Sequence, residues 1–123
     1  MASLLEKEVR EETDKRMVAD ILWRRLDTNF LLQIDATICY AEYELFKKCA
    51  LNRELFKLDS PYNTYLCKGL PPTPINNPGI ESMQAALSPL ANDYWYYMTD
   101  RKTGETIFSK TFEEHLASRE KYL

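Results

Sequence analysis

Between residues 60 and 79 the chain reads Ser60-Pro61-Tyr62-Asn63-Thr64-Tyr65-Leu66-Cys67-Lys68-Gly69-Leu70-Pro71-Pro72-Thr73-Pro74-Ile75-Asn76-Asn77-Pro78-Gly79. Five of the six prolines and two of the three glycines fall in these twenty residues. Proline fixes φ and removes a backbone donor, and glycine opens positive φ. No single helix or strand can span such a stretch. Tyr62, Tyr65, Leu66, Leu70 and Ile75 also give it apolar side chains to dock, which a flexible linker lacks. The expectation is a long structured loop, serving either as a binding or catalytic loop or as a stiff connector.

The flanks on the N-terminal side read as helices. Ser3-Leu4-Leu5-Glu6 fits a capping box, with helix to about Glu12. Thr13 or Asp14 caps a second helix to Leu26, with Val18, Ile21, Leu22 and Leu26 on one stripe. Phe30 to Ile34 reads as a short extended piece, and Ala36 to Lys48 as a helix rich in aromatic side chains. Leu51 to Leu58 is expected to hold a turn and a short helix.

Beyond the loop, Gly79 opens a helix through Leu87 that Pro89 closes. Tyr94 to Met98 is a strand by composition, Thr99 to Gly104 a turn, and Glu105 to Lys110 the returning strand. Thr111 and Glu114 form a second capping-box pattern before a last helix. The fold class expected is α+β: a mostly helical single domain over residues 1–123, with one β-hairpin and the long Pro/Gly-rich structured loop.

Bulk properties narrow the function. The chain has 123 residues, enough for one hydrophobic core, with 45% apolar and 28% charged residues. A net charge of −3 gives no electrostatic case for nucleic acid. There is no run of eighteen apolar residues to span a bilayer, and no signal peptide. Cys39, Cys49 and Cys67 show no metal-ligand spacing and the one histidine, His115, is remote, so neither a metal nor another cofactor is expected. Three free thiols are the default, with a Cys39–Cys49 disulfide open to an extracytoplasmic chain.

One carboxylate stands out. On a helical wheel Glu8 falls between Leu4 and Leu5, about 40° from the first, while Glu6 and Arg10 lie on the far side. Glu8 therefore faces the side that should be buried. Burial raises a carboxyl pKa, as a general acid requires; pairing with an arginine or lysine is the alternative. Gln33 and Asp35, at period two, face the same way and suit one ligand; Asp35 serves equally as a helix N-cap. Tyr62, Asn63, Thr64 and Tyr65 offer aromatic faces, amides and hydroxyls suited to sugars. Gly69, Leu70 and Pro71 are expected to shape a cleft wall. Arg101, Lys102 and Lys121 read as solvated charges, His115 as structural, and Cys67 as a weak nucleophile candidate at best.

These residues also carry a resemblance. Leu5-Glu6-Lys7-Glu8, Asp14-Lys15 through Arg25-Leu26, Leu32-Gln33-Ile34-Asp35 with Ile38-Cys39-Tyr40-Ala41, the Ser60-to-Gly79 loop, and Phe108-Ser109-Lys110-Thr111 with His115 run in order along nearly the whole chain. Together they are similar to the YceG-like family, the MltG-type endolytic murein transglycosylases of bacteria. Ala36 stands where that family usually has proline, Thr73 where it has glycine, and Cys67 where histidine is frequent.

The resemblance implies an enzyme that cuts the β-1,4 bond between N-acetylmuramic acid and N-acetylglucosamine without water, leaving 1,6-anhydro ends. Glu8 would be its acid and base, with Gln33, Asp35, Tyr62, Asn63, Thr64, Tyr65, Gly69, Leu70 and Pro71 on the substrate. The implied partners are peptidoglycan glycan strands and peptidoglycan synthases. The implied location is the extracytoplasmic face of the cytoplasmic membrane, reached through an N-terminal anchor and LysM-like region outside this chain. A non-catalytic peptidoglycan-binding module and a protein-interaction domain are the alternatives.

Overall fold

The computed structural model describes residues 1–123 and has the α+β organisation expected. In chain order it comprises α1 (Ala2–Glu8), α2 (Glu12–Asp27), α3 (Asp35–Phe46), a 3-10 turn (Leu55–Lys57), α4 (Ile80–Leu87), β1 (Tyr96–Thr99), β2 (Thr106–Ser109) and α5 (Phe112–Tyr122). No helix is long and apolar enough to cross a membrane. Residues 58 to 79 contain neither helix nor strand.

The core is built by the predicted stripes. Leu4, Leu5 and Val9 close on Val18, Ala19 and Leu22 of α2, on Leu32 and Ile34, and on Ala85 of α4. Leu4, Leu5, Val18, Leu22, Leu32 and Ile34 are at most 1% exposed. Burying a side chain of this size contributes roughly 1.5–3 kcal/mol, so these few residues dominate the packing.

Local signals lose to tertiary partners at three places. The Ser3–Glu6 capping box does not form: Met1 is the N-cap, and Ser3 lies buried inside α1. Ser3 Oγ accepts from the Ile75 amide at 3.2 Å, while its carbonyl accepts from Asn76 Nδ2 at 2.7 Å. Glu6, expected toward solvent or on its own helix end, crosses to α4 instead. Its Oε2 accepts from the Gly79 amide and the Ser82 hydroxyl, satisfying donors that the start of α4 leaves open. Finally, α1 stops at Glu8, short of Glu12, because Val9 turns extended (φ −140°, ψ 150°) to bury its side chain.

Two further expectations are corrected. Cys39 and Cys49 are joined by a disulfide, so only Cys67 is free, and it is exposed. The piece from Phe30 to Ile34 is not a strand: Gln33 adopts φ 55°, a left-handed bend. The second capping box does form, with Thr111 accepting from the Glu114 amide and Glu114 from the Thr111 amide.

The hairpin is held over the helices by α2. Arg25 donates to the carbonyls of Trp95 and Leu32, and the neighbouring Arg24 to that of Tyr94. Tyr97 pairs with Phe108 in the antiparallel register, and α5 packs on the hairpin's two strands.

Candidate active site

Glu8 ends α1 where the helix meets the hairpin. Its Oε2 accepts a 2.8 Å hydrogen bond from the Tyr97 hydroxyl. The carboxyl opens into a cleft of about 740 Å³. Glu8, Arg25, Gln33, Asp35, Phe56 and Tyr65 line one side of it. Tyr96, Tyr97, Met98, Thr99, Arg101, Phe112, His115, Arg119 and Leu123 line the hairpin and α5 side.

Burial pushes the Glu8 carboxyl up to about 7. The Tyr97 hydrogen bond opposes that rise, the nearby Asp35 adds to it, and Arg25 offsets it in part. Glu8 can therefore hold a proton near neutral pH and release it when a stronger base is presented, as a general acid must. Tyr97, buried beside it, is itself pushed up, chiefly by burial and then by the Glu8 charge, so it remains a hydrogen-bond donor. A donor fixed on Oε2 leaves Oε1 to carry the proton of the neutral acid.

Asp35 is the first residue of α3, after an extended Ile34, and its side chain does not cap the helix. It accepts instead from the Tyr65 hydroxyl at 2.6 Å. Gln33 and Asp35 are both exposed and both line the cleft, while the alternating Leu32 and Ile34 are buried. The left-handed bend at Gln33, not a strand, produces that alternation.

The loop contributes largely from behind. Thr64 is buried; its carbonyl accepts from the Gln33 amide at 3.1 Å and its hydroxyl from the Ile34 amide at 2.9 Å. It thereby pins the bend that presents Gln33 and Asp35. Asn63, also buried, donates to the Phe56 and Leu58 carbonyls and accepts from the Tyr65 amide. Phe56 and Tyr65 meet edge to face at 4.8 Å on the cleft wall. Tyr62 lies outside the cleft, against Tyr40 and hydrogen-bonded to Thr73. Leu70 and Pro71 line a separate depression with the start of α1, and Gly69 (φ 89°) turns the chain ahead of it. Cys67 borders neither hollow, and its thiol donates to the Ser60 carbonyl, not to an imidazole.

The cleft also takes in Arg25, Tyr97, Phe56, Arg101, His115 and Arg119, which the sequence alone does not assign to the site. A buried arginine in the α2 stripe and a tyrosine in a two-sided aromatic strand were the available signals. Neither is specific without knowing that α1 and β1 meet across 89 residues of chain.

A family model for the YceG-like family matches residues 1–121. The chain belongs to that family. It is 42% identical over all of its 123 residues to the endolytic murein transglycosylase of Bacillus subtilis (strain 168), covering 33% of that protein. It is 29% identical over 118 residues to the endolytic murein transglycosylase of Streptococcus pneumoniae (strain D39), covering 94% of this chain and 21% of that one. A crystal structure of a YceG-like protein from Listeria monocytogenes superposes with a TM-score of 0.87 at 44% identity, over 96% of this chain and 38% of that one. The chain thus spans about a third or less of the curated relatives it matches.

Proposed function

We propose that residues 1–123 form the catalytic portion of a lytic murein transglycosylase, acting endolytically on peptidoglycan glycan strands. The observation that carries this reading is the carboxyl of Glu8, held by Tyr97 in an open cleft and able to keep its proton near neutral pH. The relatives' names supply the substrate class.

Glu8 donates its proton from Oε1 to the glycosidic oxygen as the C1–O bond of the muramyl sugar breaks. The N-acetylglucosamine side leaves as a neutral alcohol. The cationic centre at C1 is met by the substrate's own N-acetyl group. Glu8, now ionised and stabilised by Tyr97 and Arg25, takes the proton of the same sugar's C6 hydroxyl. That oxygen closes on C1 as a 1,6-anhydro ring. Glu8 ends protonated, so no water is consumed and the site is ready again. Substrate-assisted routes of this kind need one carboxyl rather than the usual glycosidase pair.

Gln33, Asp35 and Tyr65 contact the strand on this reading, while Asn63 and Thr64 hold those three in place. Tyr62, Gly69, Leu70 and Pro71 shape the scaffold behind the wall. The partners are glycan strands and the synthases that extend them, and the site of action is the extracytoplasmic membrane face.

Asp35 in the same cleft favours a second reading, hydrolysis by two carboxylates. Mass spectrometry of murein digested by the native chain and by Glu8→Gln separates the two. The expected result is new 1,6-anhydro ends, reduced at least about a hundredfold by the substitution. Reducing ends would mean hydrolysis, and binding without product would leave a glycan-binding module.

A further inference from the structure

Resting on that reading, we propose that the hairpin and α5 arm of the cleft is an anion subsite, taking a carboxylate carried by the muramyl residue being cut. Arg101, just past β1, and Arg119, on α5, both line the cleft. The three ion pairs of the protein join Lys15 to Glu81, Arg24 to Asp20 and Lys57 to Glu54. Arg101 and Arg119 take part in none of them, and no acidic side chain lines this arm, on which the terminal carboxylate of Leu123 is the one anionic group. In a chain of net charge −3, two arginines without an ion-pair partner at one hollow concentrate positive charge there.

His115 adds a second observation. It lies one helical turn before Arg119, on the same face of α5, stacked on Tyr96 at 5.3 Å. Its Nδ1 is shielded from solvent without a hydrogen-bond partner. Such a group costs free energy until a ligand satisfies it. Burial, with Arg119 and Arg25 nearby, holds His115 below the usual histidine range, so it meets a ligand as a neutral hydrogen-bonding ring.

The ligand class follows from the chemistry. Sugar hydroxyls and acetamides carry no charge. In murein strands the free carboxyl groups sit on the lactyl substituent of a muramyl residue without a peptide or, where a peptide is joined there as an amide, on the peptide itself. The planar fork of arginine matches a carboxylate. Two residues of strand, about 7 Å, separate Tyr97, which holds Glu8, from Thr99 at the head of this arm. A substituent on the sugar at Glu8 reaches that far.

The test uses peptide-bearing strands, peptide-free strands that keep the lactyl carboxylate, and both after conversion of carboxyls to carboxamides. Native chain, Arg101→Gln, Arg119→Gln and the double variant are compared by formation of anhydro ends and by equilibrium binding of short strands. The native chain should prefer carboxylate over carboxamide strands by about tenfold, chiefly in KM, as expected for two exposed charge contacts. In the double variant the preference should fall to about one. A preference seen only on peptide-bearing strands assigns the carboxylate to the peptide, one seen only on peptide-free strands assigns it to the lactyl group, and one seen on both means that the subsite takes either. Equal use of carboxylate and carboxamide strands by the native chain, or a preference untouched in the double variant, overturns the subsite. Absence of anhydro ends from every strand would sink the lyase reading alone, because the binding ratios still decide the subsite.

Discussion

Glu8 carries a cost as well as a role. Its folded-state pKa is raised from 4.5 to about 7, so the native chain binds this proton more tightly than the unfolded chain does. Stability from this group is therefore present below about pH 4.5, lost as pH rises toward 7, and flat above it. At about 1.4 kcal/mol per pH unit the loss is roughly 3 kcal/mol. Glu8→Gln should accordingly be inactive yet more stable than the native chain at pH 8, with the gain vanishing near pH 4; urea unfolding at both values checks this. On the proposed mechanism the same group would set the alkaline limb of activity, so kcat/KM should fall above about pH 7. Tyr97→Phe removes a donor that favours ionised Glu8, and should move that limb upward by on the order of one pH unit. A variant that merely loosened the strand would lower the rate at every pH without shifting the limb. Glu8 was legible because its helical wheel needs only neighbours within two turns. Tyr97 was not, since the aromatic strand offers both faces and only the docking of α1 against β1 selects one.

At the scale of elements, the loop between the 3-10 turn and α4 matters for what it fixes. Thr64 links it to the bend at Gln33 through two backbone contacts, and its hydroxyl also meets that of Thr37 at 2.9 Å. Thr64→Val would strand the buried Ile34 amide and should destabilise the chain by about 1–3 kcal/mol. Activity should fall with it, because Gln33 and Asp35 lose their fixed presentation; thermal melts and rates on the same preparation test both. The proline and glycine punctuation correctly marks this stretch as irregular and docked. It does not distinguish polar residues aimed at a ligand from polar residues satisfying backbone, and Asn63 and Thr64 are of the second kind. The caps illustrate the same limit. Thr111 and Glu114 close their own box, with Glu114 also accepting from the adjacent Lys110 amide, whereas Ser3 and Glu6 are captured by the distant Ile75–Ser82 segment.

For the whole molecule, the two sides of the cleft differ in construction. Glu8, Arg25 and Asp35 stand on helices that pack against the core cluster. The facing side consists of four-residue strands and α5, a helix with no buried residue. A two-stranded hairpin is marginal by itself, and here it is fastened by Tyr97 and Phe108 against the core and by Arg24 and Arg25 on the residues just before β1. Amide hydrogen exchange should therefore be fast in α5 and the 100–105 turn, and slow in α2 around Val18 to Leu22. Uniform protection across both would refute the contrast. If it holds, a strand bound as proposed would lie between one stiff jaw and one compliant jaw. The stiff jaw would keep the Glu8 carboxyl aligned, and the compliant one would adjust to whatever side groups each successive sugar presents. A strand entering at an interior position, with no free end to thread, then requires only the softer jaw to yield.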